Sequence, residues 1–106
     1  MLSSMKYQLI LQFEATSIED FDGLIVLEEI LITTLPRKCR VDGHDFGMGE
    51  FNIFILTDDP ESAFGDVRKV LRDNGRPGKY QAAFRELKSD EYIILWPPTL
   101  DRFTIT

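Results

Sequence analysis

The chain's only histidine, His44, stands between Asp42 and Asp45 in the stretch VDGHDFGMGEFN (residues 41–52), with Glu50 and Asn52 close behind. An imidazole among carboxylates can form an acid–base pair or contribute to a divalent metal site. Spacing limits this. On an unbroken strand Asp42 and His44 project to one face and Asp45 to the other. With one histidine, a zinc site would need mostly carboxylate ligands. No Ser or Cys is placed as a nucleophile, since Cys39 falls five residues earlier on the opposite strand face. The same stretch also reads as a tight hairpin, with Gly47 and Gly49 supplying positive φ and Asp45 or Glu50 bonding the turn amides. Asp42, His44, Asp45, Glu50 and Asn52 are therefore the candidate binding set, and no catalytic residue, metal ligand or cofactor is assigned.

A second stretch, Gly75-Arg76-Pro77-Gly78-Lys79-Tyr80, has the outline of a phosphate loop. It fails the pattern. A Walker A loop needs Gly where Asp73 stands and Ser or Thr where Tyr80 stands, and it leads from a strand into a helix, whereas this segment leaves a helix. It is expected to be a helix-to-strand turn.

The elements that must position the hairpin follow from periodicity. Tyr7 to Glu14 alternates, with Tyr7, Leu9, Leu11 and Phe13 opposed to Gln8, Ile10 and Gln12, which predicts a strand. Thr16 or Ser17 caps a helix with Glu19 and Asp20 in its first turn, and the helix should end at Leu35, before Pro36. Phe21, Leu24, Leu31, Ile32 and Leu35 form its expected core stripe. Glu28 falls within that stripe and is expected at its edge, reaching water. Residues 37–45 and 50–57 read as two strands, and the second is apolar on both faces apart from Asn52, which makes it central. Asp59-Pro60-Glu61 opens a second helix and Asn74-Gly75 closes it. Residues 79–87 and 92–96 are two further strands, and residues 100–106 are a tail that still alternates. The order β-α-β-β-α-β-β predicts one α+β domain over residues 1–106, with residues 1–5 disordered. It suggests a ferredoxin-like sandwich, an antiparallel sheet with two helices on one face.

Charge narrows the function. Six acids and no Lys or Arg lie between residues 7 and 36, and the other twelve acids are balanced by the chain's twelve bases. The whole net charge of −6 therefore belongs to the first strand and helix. Such a surface argues against nucleic acid, which needs basic charge to displace counterions, and permits a basic protein partner, while a solvated acidic helix face that keeps the domain in solution is the plainer reading. No apolar run reaches the roughly 20 residues of a membrane span. The start is not a secretory signal and the lone cysteine excludes an internal disulfide, so the expected location is cytoplasmic.

The motif Asp42-Gly43-His44-Asp45-x-Gly47-x-Gly49-Glu50-x-Asn52-Ile53-Phe54, the following Thr57-Asp58-Asp59-Pro60 and the late Leu95-Trp96-Pro97 resemble a family of small uncharacterised bacterial proteins. Some of its members carry a transferred ABC-transporter label, which nothing in this sequence supports. The resemblance implies a bacterial source and a stand-alone domain, with no activity to carry over.

Two surfaces look too apolar for water. The first helix spreads Ile25, Val26, Leu27 and Ile30 beyond the width of one contact. The sheet face opposite the helices should carry Ile10 with Phe54 and Leu56, or with Phe51, Ile53 and Ile55, and Trp96 can join it. The tail, a second copy or another protein should cover that face. Ile10, Val26, Ile30, Phe54 and Trp96 are the expected interface residues. The leading expectation is a small acidic, non-enzymatic protein-binding domain, either a homodimeric interaction module or an immunity-type inhibitor of a basic toxin. The alternatives are a small metal-dependent enzyme using the 42–52 hairpin and a small-ligand pocket between the sheet and the Phe46–Gly49 turn.

Overall fold

A computed structural model describes residues 5–75 and 79–105. The expectation for the first residues falls mostly outside that range, as does the centre of the Gly75–Lys79 turn. The elements are β1 (Tyr7–Glu14), α1 (Ile18–Thr34), β2 (Cys39–Gly47), β3 (Glu50–Thr57), α2 (Pro60–Asp73), β4 (Gln81–Glu86) and β5 (Ile93–Trp96). The fold is α+β: one five-stranded sheet in the order β2-β3-β1-β4-β5, antiparallel throughout, with two helices. A sandwich of the expected type needs four strands. The fifth strand, expected over residues 92–96 and found as β5, pairs outside β4 and extends the sheet beyond those four.

Local chemistry sets the helix ends. The Ser17 hydroxyl accepts from the Asp20 amide at 3.0 Å, and the Asp20 carboxylate accepts from the Thr16 amide at 3.0 Å. Two otherwise orphan donors are thereby satisfied. The Thr16 amide first, then the Ser17 and Thr16 hydroxyls close to the carboxylate, hold the Asp20 carboxyl below the usual range. At α2, Asp59 accepts from the Ser62 amide at 3.1 Å and Pro60 occupies the first turn.

Both helices pack on one face of the sheet. Leu9, Leu11, Phe51, Ile53 and Ile55 form the sheet side of that core, fully buried. Leu24, Leu27 and Leu31 come from α1, and Ala63, Phe64, Val67 and Leu71 from α2. Two expectations for α1 change. Ile32 is 58% exposed and Leu27 takes its place in the core, because each residue turns the helix by about 100° and Ile32 points away from the face that holds Leu31. Glu28, expected at the stripe edge, is buried.

The opposite sheet face is covered by the chain's own tail. Ile10, Ala83 and Phe103 are buried together, with Phe54, Tyr92, Ile94, Leu100 and Ile105 packed around them. Thus Phe51, Ile53 and Ile55 face the helices and Phe54 faces the tail. Trp96 belongs to the helix side, stacked on Tyr80 at 6.2 Å with the Arg68 guanidinium 4.8 Å from its ring.

Candidate functional site

The hairpin closes in two residues. Gly47 pairs with Glu50, so Met48 and Gly49 alone make the turn, with φ of 55° and 78°. Positive φ at both positions is the requirement of a type I′ turn, which favours Asn or Gly. Sequence reasoning gave the left-handed positions to Gly47 and Gly49. In fact Gly47 ends the strand and Met48 takes the strained position. The tip is fixed from below, because the Ala15 amide donates to the Gly49 carbonyl at 2.9 Å.

Further along β2, the pairing steps from Val41 opposite Ile55 to Gly43 opposite Phe54. Asp42 is the extra residue of a bulge, and Gly43 takes a φ of 115° that a side chain resists. A bulge breaks the two-residue alternation. Val41 and His44, three apart, both pack against the helix-side core. The expected sharing of a face by Asp42 and His44 depended on an unbroken strand.

His44 reaches α1. Its Nδ1 lies 2.9 Å from Oε1 of Glu28, whose side chain is only 10% exposed. The imidazole stacks on Phe51 at 4.8 Å with an interplanar angle of 14°. Phe21 stands edge-on to His44, Phe46 and Phe51, with centroids at 6.3, 5.0 and 5.5 Å. An ionised Glu28 only accepts, so Nδ1 carries the proton in this pair and Nε2 of a neutral ring is the basic nitrogen. Sequence leaves Glu28 two positions, a buried carboxylate marking a site or the stripe edge, and favours the edge, because a lone Glu within an apolar stripe gives no sign of the strand that will face it.

The other candidates lie elsewhere. Asp45 pairs with Asn52, and Asn52 with Gln12, in a row across the tail side of the sheet. The Gln12 amide donates to Asn52 Oδ1 at 3.1 Å, to the Thr104 carbonyl at 2.9 Å and to Glu50 Oε1 at 3.4 Å. Asn52, 1% exposed, interrupts an apolar strand because it is part of this bonded row under the tail. Of the five candidates, His44 lies on the helix side while Asp45, Glu50 and Asn52 belong to the tail side. Among the described residues, no three His, Cys, Asp or Glu side chains come together in a way that could hold a metal ion. Cys39 is buried, and burial with the nearby Asp66 charge pushes its thiol upward in pKa.

Of the expected interface residues, Ile10 is sealed under the tail, and Phe54, Ile30 and Trp96 are partly buried within the molecule. Val26 is 53% exposed.

One open surface includes none of the candidate binding or interface residues, although its hairpin side is the Phe46–Gly49 turn of the ligand-pocket alternative. Between the start of α1 and the hairpin tip runs a groove of about 740 Å³, lined by Ala15, Thr16, Ile18, Phe21, Phe46 and Met48 among others. Met48 is 87% exposed, Ile18 76% and Phe46 47%. The signal in the sequence was a methionine next to Gly49 where a turn favours Asn or Gly. Only the fold shows that Ile18 stands beside it.

Comparison with family models, with curated proteins and with solved structures gives no match. Among the described residues, no helix is long and apolar enough to cross a membrane.

Proposed function

We propose that the chain is a non-enzymatic protein-binding domain whose docking surface is the groove between α1 and the β2–β3 tip, and that its partner is a basic protein. The observation that carries this is Met48. A large apolar side chain is held almost fully in water, on a backbone conformation that Gly or Asn adopts more easily, beside two other exposed apolar side chains. Burying such a side chain is worth about 1.5–3 kcal/mol, so a partner that covers Met48 and Ile18 gains substantially. The acids Glu19, Asp20 and Asp22 follow Ile18 directly and are all exposed. They favour a cationic partner and would speed its approach. An immunity-type inhibitor of a basic toxin is one form of this activity, and a bacterial source, which only the family resemblance implies, would suit it. The strand order β2-β3-β1-β4 supports reading the fold as a ferredoxin-like sandwich extended by β5.

The test is retention from the source cell on immobilised wild type against Met48→Asp, followed by reconstitution with the purified partner. Binding that survives reconstitution and is lost in Met48→Asp supports the reading. A protein that retains nothing beyond what Met48→Asp retains, and that stays monomeric by light scattering, sinks it.

A second reading, a ligand or enzyme site at the hairpin, is favoured by one observation: a buried carboxylate orients the imidazole of His44. Melting curves with millimolar Mn²⁺, Zn²⁺ or Mg²⁺ test its metal-dependent form, since a bound ion stabilises the folded state by mass action. A rise in wild type that vanishes in His44→Ala favours it.

A further inference from the structure

α1 is apolar nearly all the way round, the pattern of a helix enclosed by protein, yet one of its faces is open. Ile18, Ile25 and Ile32 recur at seven-residue spacing along that face. Ile18 and Ile32 are 76% and 58% exposed, Ile25 is half-buried, and Val26 beside it is 53% exposed. Seven-residue spacing keeps side chains aligned along a helix with a drift of only about 20° per heptad. It supplies one of the two apolar positions of a coiled-coil heptad, while the other, three residues on, falls to Phe21, Glu28 and Leu35, which turn toward the molecule's own core. Asp22 and Glu29 follow Ile18 and Ile25 at four residues and are exposed, so one acid flanks the seam in each heptad. No Lys or Arg occurs between Tyr7 and Pro36. Ile18 also lines the groove that Phe46 and Met48 share, so the seam is continuous with it.

We infer that the open face of α1 is the seat for a basic amphipathic helix of the partner, with apolar residues at heptad spacing and Lys or Arg on their flanks, running along α1 and ending against the hairpin tip. This rests on the protein-binding reading above and adds the shape and charge of the element that docks. Charge decides against a second copy of this chain as occupant. In an antiparallel pair of α1 helices crossing near Ile25, Asp22 of one copy would approach Glu29 of the other. In a parallel pair each acid would face a partner helix that carries no Lys or Arg. Neither arrangement gains a cation from α1, and like charges side by side repel. A basic helix supplies the missing charge at the same positions.

The experiment titrates the full chain with three synthetic helices of about three heptads, identical in a Leu seam and flanked by Lys, Gln or Glu. Affinity is read by fluorescence anisotropy at low and high salt, and the contact surface by amide chemical shifts. The Lys-flanked helix should bind and shift amides from Ile18 to Ile32 and at the hairpin tip. Its affinity should fall roughly tenfold or more at high salt, where exposed charges are screened. Asp22→Lys/Glu29→Lys should transfer the preference to the Glu-flanked helix, and Ile32→Asp should weaken every helix. Equal binding of the Lys- and Gln-flanked helices, shifts confined to another surface, or no binding at all would overturn the inference. So would a wild-type dimer that Ile32→Asp dissociates. If a reconstituted partner needs Met48 but binds Ile32→Asp and the double charge reversal normally, the seam inference fails while the groove reading stands. If the Lys-flanked helix binds along α1 but the partner ignores Met48→Asp, the groove reading is the one that fails.

Discussion

Nδ1 of His44 and Oε1 of Glu28 are 2.9 Å apart and join the β2 strand to the helix that covers it. The carboxylate is nearly withdrawn from water, so the imidazole is what makes its burial tolerable. His44→Ala should destabilise the fold by about 1–3 kcal/mol, the cost of an unsatisfied buried acceptor. Replacing both residues with apolar ones, as in Glu28→Leu/His44→Leu, should cost less than the two single changes together. Urea denaturation of the four proteins in a double-mutant cycle measures this, and strict additivity would show that the pair carries no coupling.

Met48 should show a trade between stability and binding. Met48→Asn places a residue that tolerates positive φ at that turn position, so it should raise stability by about 0.4–1 kcal/mol. It also removes the most exposed apolar side chain of the groove, so partner affinity should fall. Urea midpoints and a binding titration on the same sample read the two effects. A variant that is both more stable and equally tight would show that Met48 is there for neither reason.

The tail should prove to be part of the fold. Phe103 is 6% exposed over Ile10 and Ala83, and the Gln12 side chain holds the Thr104 carbonyl. Phe103→Ala should cost about 3 kcal/mol, and Gln12→Leu about 1–3 kcal/mol because it leaves Asn52 and the carbonyl short of a donor. Removing residues 100–106 should leave Ile10 and Phe54 uncovered and promote self-association, seen as a rise in mass by light scattering. A truncated chain that stays monomeric and melts like wild type would contradict the covering role.

Asp20 should make stability depend on acid pH. Its folded pKa lies below the ordinary value because the charged form accepts the Thr16 amide and the Ser17 hydroxyl lies close. A depressed pKa means the stabilisation is fully present above the unfolded value of about 3.9, and is lost as pH falls through the lower folded value. Asp20→Asn should flatten the stability–pH profile in that acid window and leave its shape near neutrality unchanged. Unfolding midpoints from neutral pH down to strongly acid conditions check the sign, and an identical slope in wild type and variant would refute it.

Much of this protein is set by its sequence alone, wherever the determining interactions are local. The bounds of β1, the Ser17 and Asp59 caps, the stop before Pro36 and the amphipathic face of α2 all follow from neighbours within a few residues. Concentration of the net charge on the first strand and helix is likewise a property of the chain. Tertiary structure decided the rest. Alternation along β2 is a sound guide until one extra residue enters, and nothing local announces the bulge that separates Asp42 from His44. A glutamate in an apolar stripe could reach water or be enclosed, and its fate depended on a histidine sixteen residues away on another element. Both faces of β3 are apolar, so its inward side was fixed only when the helices took one face and the tail the other. Asn52 looked like a chemical group and proved to be the acceptor for Gln12, the side chain that holds the Thr104 carbonyl of the returning tail. The open groove has the same origin. Ile18 and Met48 are thirty residues apart, and only the bond from Ala15 to Gly49 and the packing of α1 bring them to one rim.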